Sequence, residues 1–188
     1  MASAKSSLLL MMAHSLEERG IQFLCIKPSI DDRDGYGVIS SRIGISRECV
    51  SIEPDDDLYA LMETYTDTAM NGYLYEKPKW VLVDECQFLT EQQVEQLATV
   101  VDNMDIDVMC FGLRTDFKTR LFEGSKRLME LADDIEETKI SCACGKKAII
   151  NARIDAEGNI VTDGEQVVIG GDDLYISVCR KCYNNAIH

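Results

Sequence analysis

Lys5 and Ser6 are the first pair of residues in the chain whose types suggest a chemistry. They stand at the start of an apolar helical pattern, and the unpaired backbone N–H groups at a helix start favour an anion. A lysine there can reach the outer phosphates of a nucleotide, and a serine hydroxyl can bind magnesium. The complete phosphate-loop pattern has a glycine immediately before the lysine, where this chain has Ala4. The pair therefore predicts either part of a phosphate site or an ordinary solvated helix start.

Asp84 and Glu85 follow directly on the apolar run "WVLV". Ligands of parallel sheets bind at the carboxyl ends of the strands, and an aspartate there is suited to bind magnesium opposite a phosphate loop. The adjacent glutamate is suited to act as a base. Neighbouring side chains of a strand point to opposite faces, so the two carboxylates need not share a role. The alternative is a solvated strand end that leads into a capped helix.

Two cysteine pairs stand near the end of the chain, C-x-C at Cys142 and Cys144 and C-x-x-C at Cys179 and Cys182, separated by the 34 residues 145 to 178. Four thiolates can complete a tetrahedral zinc site, and such a closed site is structural. A disulfide framework is the rival interpretation, although reduced thiols are the norm in the cytosol. The other four cysteines lie apart within apolar or mixed stretches and are expected to behave as small hydrophobes: Cys25, Cys49, Cys86 and Cys110.

The segment "GLRTDFKTRLFEGS" carries the large apolar residues Leu113, Phe117 and Phe122 among polar neighbours. They are suited either to wall a pocket of the size of a nucleobase or to anchor a loop in the core. Asp31 and Arg33 lie in a glycine-bearing loop and are equally open to two interpretations, a surface ion pair or a phosphate-binding arginine with its partner.

The elements that must position these residues alternate between apolar strands and amphipathic helices. Strands that are apolar on both faces predict a parallel sheet covered by helices on both sides, so we expect an α/β fold of the nucleotide-binding type. A helix follows Thr90, which forms a capping box with Gln93, and its apolar stripe is expected at Val94, Leu97 and Val101. The first helix is expected to bury Leu8, Leu9, Met12 and Leu16 and to end at Gly20. The strands are expected at 21–28, 80–85 and 107–113.

A boundary is expected near Ile140, because short glycine-punctuated strand patterns and the cysteine pairs begin there. This divides the chain into a nucleotide-binding α/β domain, 1–140, and a small zinc-binding domain, 141–188. The formal charge of -14, from 19 basic and 33 acidic residues, makes nucleic acid an improbable partner. The longest apolar run, Leu8 to Ala13, is far shorter than the roughly 20 residues needed to cross a bilayer, and no signal peptide is recognised. We therefore expect a cytoplasmic protein with no membrane partner.

Seven motifs occur in an order that resembles the type II (cellular-type) thymidine kinase family: "MASAKS", "DDRDGYG", "SSRIG", "VDECQFL", "FGLRTDF", "LFEGSKRL" and "IGGDDLYISVCRKC". The resemblance covers nearly the whole chain. It implies a P-loop α/β domain with a zinc-anchored lasso over the nucleoside. The implied activity is transfer of the γ-phosphate of ATP to the 5′-hydroxyl of thymidine, which gives thymidine monophosphate and ADP. The implied cofactors are magnesium, bound with ATP, and structural zinc at Cys142, Cys144, Cys179 and Cys182.

The resemblance also assigns roles to residues. It implies that Glu85 is the catalytic base and that Arg33 helps to neutralise the transferring phosphoryl group. The implied nucleotide-binding residues are Met1, Ala2, Ser3, Ala4, Lys5, Ser6, Asp84, Glu85, Cys86 and Gln87. The implied nucleoside-binding residues are Asp31, Leu113, Phe117 and Phe122, together with Gln166, Val167, Val168, Ile169, Gly170 and Tyr175 of the lasso.

The sequence departs from the family pattern in two places. The family begins with a strand that delivers the phosphate loop, and we expect the 1–140 domain of the printed chain to lack it. Cys182 stands where many relatives have histidine, and either residue can bind zinc. One alternative function is a shortened, catalytically impaired homologue that serves as a nucleoside-binding or assembly subunit. Another is a helicase-like ATPase that uses "DECQ". The resemblance further implies a homotetramer that thymidine triphosphate inhibits.

Overall fold

A computed structural model of the chain describes residues 5–31, 35–66, 77–167 and 175–187. Helices and strands alternate through the first two thirds of the chain, and short antiparallel strands dominate the last third. The helices are α1 (Lys5–Glu18), α2 (Leu58–Thr66), the 3-10 turn η1 (Cys86–Phe88), α3 (Glu91–Met104), α4 (Glu123–Leu131) and α5 (Arg180–Ile187). The strands are β1 (Phe23–Pro28), β2 (Val38–Ser40), β3 (Ser46–Glu48), β4 (Val50–Ile52), β5 (Trp80–Val83), β6 (Asp107–Cys110), β7 (Ile140–Ser141), β8 (Lys147–Ala148), β9 (Ile150–Arg153) and β10 (Tyr175–Val178).

The central sheet has four parallel strands in the order β4-β1-β5-β6. Ile26 of β1 lies beside Val83 of β5, which in turn lies beside Cys110 of β6. Both Ile26 and Val83 are fully buried, as expected of strands covered on two faces. Among the described residues, β6 pairs with β5 alone. The predicted α/β fold with a parallel sheet is confirmed.

Helices cover both faces of this sheet. On one face α2 and α3 form a core cluster with β1 and β5, in which Met62, Val94 and Leu97 are buried. On the other face α1 packs against Cys25, Ile39 and Leu82. The capping box of α3 forms as predicted between Thr90 and Gln93. The predicted stripe of α3 is wrong at Val101, which is half-buried, because Val100 points into the core instead.

Helix α1 ends as the sequence predicts, with Gly20 in the left-handed conformation at φ 69°. The N–H groups of Gly20 and Ile21 donate to Glu17 O and Leu16 O, which is the Schellman pattern. The predicted apolar stripe is wrong by one residue at its start, since Leu8 is 41% exposed and Met12 is only half-buried. Three consecutive leucines leave the phase of the helix open, and packing against β1 and β5 selects the following set: Leu9, Leu10, Ala13 and Leu16.

A third core cluster lies beyond residue 140. It is built on the antiparallel pair β9 and β10, in which Ala152 lies beside Ile176, and on Tyr183 of α5. This separate cluster is consistent with a small second domain, and the boundary near Ile140 remains a prediction. Among the described helices none is long and apolar enough to span a membrane.

Candidate functional site

Lys5 and Glu85 meet where the start of α1 reaches the carboxyl edge of the sheet. The Nζ atom of Lys5 lies 3.9 Å from Oε1 of Glu85, and the two side chains are only 10% and 6% exposed. The residues are 80 positions apart in the sequence, and the parallel sheet brings them together. The amine and the carboxylate predicted to act in one reaction therefore share one site.

Asp84 and Ser6 form the second contact between α1 and β5. The Ser6 hydroxyl donates a 2.8 Å hydrogen bond to Oδ2 of Asp84. The other carboxylate oxygen, Oδ1, is buried and has no hydrogen-bond partner among the described residues. Buried polar atoms normally have a hydrogen-bond or metal partner, so this oxygen is a candidate to bind a ligand. A carboxylate and a hydroxyl are the hard oxygen ligands that magnesium prefers, so the pair fits that ion.

The protonation of Asp84 follows from its surroundings. Burial, and after it the neighbouring Glu85 carboxylate, raise the pKa of Asp84 from 3.8 to about 6. The Ser6 hydrogen bond and the charge of Lys5 act in the opposite direction. A cation bound next to a buried carboxylate stabilises its ionised form and offsets the cost of burying the charge.

Glu85 adopts an uncommon backbone conformation. Its φ of 49° and ψ of 38° lie in the left-handed region, where residues other than glycine are rare. This conformation ends β5 and starts the turn η1, whose first N–H, that of Cys86, donates to Phe111 O. Strained backbone of this kind tends to occur at functional sites. Here it turns the Glu85 side chain towards Lys5 while Asp84 faces Ser6.

Gln87 holds Glu85 in place. Its side chain is buried, and its Nε2 atom donates a 2.5 Å hydrogen bond to Oε2 of Glu85. Its Oε1 atom accepts a 2.9 Å hydrogen bond from the backbone N–H of Leu113. Gly112 provides the room, since a Cβ atom there would lie 2.4 Å from Sγ of Cys86 and 2.8 Å from Oε1 of Gln87. The family resemblance implies that Gln87 contacts nucleotide, and the structure places it against Glu85.

The segment from Leu113 to Phe122 folds over this edge of the sheet. Phe117 is buried at 2% exposure, Phe122 is buried in edge-to-face contact with Phe88, and Leu113 is half-buried. The Leu113 carbonyl accepts a 2.6 Å hydrogen bond from the Ser125 hydroxyl. Leu113 is linked to Glu85 through the Gln87 side chain, and Phe117 and Phe122 are buried in the same segment.

Gln166, which the resemblance assigns to the lasso, contacts this segment. Nε2 of Gln166 donates a 2.9 Å hydrogen bond to Oδ2 of Asp116, whose Oδ1 accepts from the N–H groups of Lys118 and Arg120. Val167 is half-buried, Asp31 is buried at the end of β1, and Tyr175 begins β10. Several predicted site residues lie outside the described residues: Met1, Ala2, Ser3, Ala4, Arg33, Val168, Ile169 and Gly170.

The four predicted metal ligands form one cluster. The sulfur atoms of Cys142, Cys144, Cys179 and Cys182 all lie within 4.8 Å of one another. The Cys144 and Cys179 sulfurs are 3.6 Å apart, close to the separation of about 3.8 Å expected of thiolates around tetrahedral zinc. The backbone N–H of Cys182 donates to Sγ of Cys179, which orients that sulfur.

The thiols of this cluster differ in acidity. Hydrogen bonds from the backbone of Cys144 and then Cys179 lower the pKa of Cys142 to about 6. Contacts with the side chains of Cys144, Cys179 and Cys142 raise the pKa of Cys182 to about 12. Four adjacent thiols cannot all ionise without a compensating charge, and a divalent cation supplies it. The donor set and its geometry therefore fit zinc.

Two buried cations were not identified from the sequence. Lys27 is 2% exposed, and its Nζ atom donates a 2.8 Å hydrogen bond to Val38 O, which attaches β2 to the end of β1. Arg153 is 8% exposed at the end of β9 and contacts Phe117 and Tyr175. The sequence signal that could have identified these buried cations is a single basic residue within a strand pattern, as in "IKP" and "NARI".

Comparisons with known proteins agree on one family. The family model described as thymidine kinase matches residues 1–183. The thymidine kinase of Vibrio cholerae is 46% identical over 187 residues, which cover 100% of this chain and 94% of that protein. The thymidine kinase of Legionella pneumophila is 44% identical over 97% of this chain and 85% of its own. The thymidine kinase of Streptococcus pyogenes is 45% identical over 98% and 93%.

Proposed function

Since the chain belongs to the thymidine kinase family, we propose that it transfers the γ-phosphate of ATP to the 5′-hydroxyl of thymidine. The products are thymidine monophosphate and ADP. The observation that supports this proposal best is the 3.9 Å approach of Lys5 to Glu85. It joins a phosphate-binding cation and a candidate base at the edge of the sheet where ligands of parallel α/β folds bind.

Lys5 and the start of α1 provide the binding site for the phosphates of ATP. The helix N-terminus favours negative charge, and the Lys5 amine is buried against Glu85. In phosphoryl transfer most of the rate enhancement comes from positioning and from electrostatic stabilisation of the phosphoryl oxygens. Because Glu85 already restrains the Lys5 side chain, that side chain loses little conformational entropy when the nucleotide binds.

Ser6 and Asp84 would hold magnesium. The buried Oδ1 atom of Asp84 without a partner and the Ser6 hydroxyl on Oδ2 supply the oxygen donors. When bound, magnesium neutralises charge on the phosphates of ATP. The Ser6 hydroxyl keeps Asp84 oriented before the ion arrives.

Glu85 acts as the general base for the 5′-hydroxyl of thymidine. As that oxygen bonds to the γ-phosphorus and the bond from phosphorus to the leaving oxygen of ADP breaks, the hydroxyl proton passes to a carboxylate oxygen of Glu85. Gln87 fixes the carboxylate by its 2.5 Å hydrogen bond. Arg33 is proposed to stabilise the transferring group, and this role rests on the family resemblance.

The nucleoside is proposed to bind beside the segment from Leu113 to Phe122, under the lasso. Leu113 is the described pocket residue linked most directly to the general base Glu85. Its N–H donates to Gln87, which in turn donates to the Glu85 carboxylate. Gln166 and Tyr175 bring the lasso onto the same segment through Asp116 and Arg153. Zinc at the four cysteines is proposed to hold the two ends of the lasso domain together.

The test is transfer of label from [γ-³²P]ATP to thymidine. Glu85→Gln is expected to lower kcat by roughly 10²- to 10⁴-fold, the usual range for loss of a general base. Glu63→Gln is the matched control, since Glu63 is an exposed residue of α2. Equal rates for Glu85→Gln and the unchanged chain would contradict the assigned base. Thymidine binding without any transfer by the unchanged chain would favour the impaired binding subunit.

We also propose a homotetramer, inhibition by thymidine triphosphate and a cytoplasmic location. The family resemblance supports the first two, and the sequence pattern supports the third. Analytical ultracentrifugation, inhibition kinetics with thymidine triphosphate and imaging of the tagged protein in its own cells test the three proposals separately.

A further inference from the structure

Arg153 has no role assigned to it in binding or catalysis, yet it contacts two of the residues assigned to the nucleoside pocket. We propose that Arg153 is a positioning residue that holds Phe117 and Tyr175 in the arrangement that receives the nucleoside base. The inference rests on the proposed function. It adds a residue from the small domain to the determinants of nucleoside affinity.

The first contact is with Phe117. The guanidinium carbon of Arg153 lies 3.8 Å from the centroid of the Phe117 ring, and both side chains are buried, at 8% and 2% exposure. Attraction between a cation and an aromatic face is strongest when water is excluded. The planar guanidinium also stacks on the ring and fixes its orientation, which a lysine ammonium does not do. Phe117 therefore has one face covered by the small domain.

The second set of contacts is with the lasso. Nε and Nη2 of Arg153 donate to the Tyr175 hydroxyl at 3.2 Å and 3.1 Å. Nη2 also donates to the carbonyl of Glu165 at 3.0 Å and lies 3.5 Å from that of Gln166. Residues 165 and 166 begin the lasso and Tyr175 ends it. One guanidinium thus joins both ends of the lasso to Phe117.

The charge of Arg153 makes these contacts mutually dependent. Among the described residues, every hydrogen-bond partner of its guanidinium is a neutral oxygen. The buried charge is compensated by a ring face, a phenol oxygen and main-chain carbonyls instead. Loss of any of these partners leaves a buried cation poorly solvated, so the arrangement of Phe117, Tyr175 and the lasso ends is held as a unit.

Other contacts hold the same elements together without Arg153. The Tyr183 hydroxyl donates a 3.1 Å hydrogen bond to Phe117 O, and Gln166 is hydrogen-bonded to Asp116. None of the four cysteines is a hydrogen-bond partner of the guanidinium, and the cysteines form a metal site of their own. A change at Arg153 should therefore loosen the nucleoside pocket without releasing the metal or separating the segment from the small domain.

The experiment compares Arg153→Met and Arg153→Lys with Arg127→Lys, a control arginine that forms surface ion pairs with Glu95 and Glu130. For both Arg153 variants we expect KM for thymidine to rise roughly tenfold or more, from loss of a buried cation–π contact and charged hydrogen bonds. We expect kcat to stay within about threefold, with KM for ATP and bound zinc unchanged. Arg127→Lys should change none of these.

A double-mutant cycle separates positioning from general damage. Tyr175→Phe removes the hydroxyl that Arg153 contacts and should give part of the same rise in KM. The double variant Arg153→Met/Tyr175→Phe should be no worse than Arg153→Met alone, because the two residues act through one contact. Unchanged KM for thymidine in both Arg153 variants would overturn the proposal. So would a fall in kcat accompanied by zinc loss, or additive effects in the cycle.

Failure of the proposed function is distinguishable from failure of this inference. If the unchanged chain transfers no phosphate, the dissociation constant of thymidine by isothermal titration replaces KM as the readout. The proposal then predicts the same rise of roughly tenfold in the Arg153 variants. Equal dissociation constants in the unchanged chain and in both variants would overturn it.

Discussion

Gln87 joins Glu85 to Leu113 through its two amide atoms. Nε2 donates to the Glu85 carboxylate at 2.5 Å, and Oε1 accepts from the Leu113 N–H at 2.9 Å. Both bonds favour the same orientation of the amide, because exchanging its oxygen and nitrogen would put two acceptors against each other at Glu85 and two donors at Leu113. The proposed base and the nucleoside-binding segment are thereby set at a fixed separation.

Replacement of Gln87 by leucine should lower kcat by roughly 10- to 100-fold. The change removes the hydrogen bonds that Gln87 forms with Oε2 of Glu85 and with the Leu113 N–H, and loss of a buried hydrogen bond costs about 1 to 3 kcal/mol. Steady-state kinetics with thymidine and ATP measure the effect, and KM for ATP should change little. Gln96→Leu is the matched control, since Gln96 accepts from Leu58 N at the start of α2. Equal losses of kcat in the two variants would show that Gln87 has no special relation to Glu85.

Asp84 should make the stability of the ligand-free protein depend on pH. Its pKa is raised by burial, and then by Glu85, from 3.8 to about 6 in the folded state. The folded state therefore binds this proton more tightly than the unfolded state. The stability from Asp84 is fully present below about pH 4 and is lost as pH rises through about 6.

Asp84→Asn removes this loss, since the amide carries no charge. Relative to the unchanged chain, the variant should gain free energy of unfolding between about pH 4 and pH 6.5, up to about 2 to 3 kcal/mol. Urea unfolding without magnesium or nucleotide, repeated across this range, measures the difference. Asp102→Asn, the same change at an exposed position of α3, is the control. A difference between Asp84→Asn and the unchanged chain that stays constant with pH would contradict the raised pKa.

Cys182 should tolerate histidine but not alanine. Both cysteine and histidine bind zinc, and the cluster places Cys182 within 4.8 Å of the three other sulfurs. Cys182→His should retain about one zinc per chain, whereas Cys182→Ala should lose most of it and raise KM for thymidine. Zinc is measured by mass spectrometry of the purified protein. Cys49→Ala is the control, because Cys49 belongs to the α1 side of the sheet. Full zinc content in Cys182→Ala would exclude Cys182 as a ligand.

The sequence predicts the framework well because its signals are local. The runs that become β1, β5 and β6 are mostly apolar, the capping box of α3 spans four residues, and the cysteine spacings are diagnostic. The short strand β4 was not predicted. It has three residues with a serine in the middle, and its pairing with β1 defines it as a strand.

The finer architecture of the site depends on contacts between distant positions. Arg153 reaches Phe117 across 36 positions, and Gln87 reaches Leu113 across 26. The local sequence around Arg153 or Gln87 does not indicate which residue it contacts, because only the folded chain brings each pair together. The phase of α1 illustrates the same limit, since three successive leucines suit more than one face and packing on β1 decides between them.

Tyr183 directly follows Cys182 in α5, and its hydroxyl donates a hydrogen bond to Phe117 O. A small rotation of α5 after departure of the ion would withdraw this phenol while the parallel sheet stayed intact. A metal-depleted preparation is therefore expected to lose nucleoside affinity before it melts or aggregates. A folded and unaggregated sample is then expected to lack activity because it lacks zinc, and addition of zinc should restore the activity.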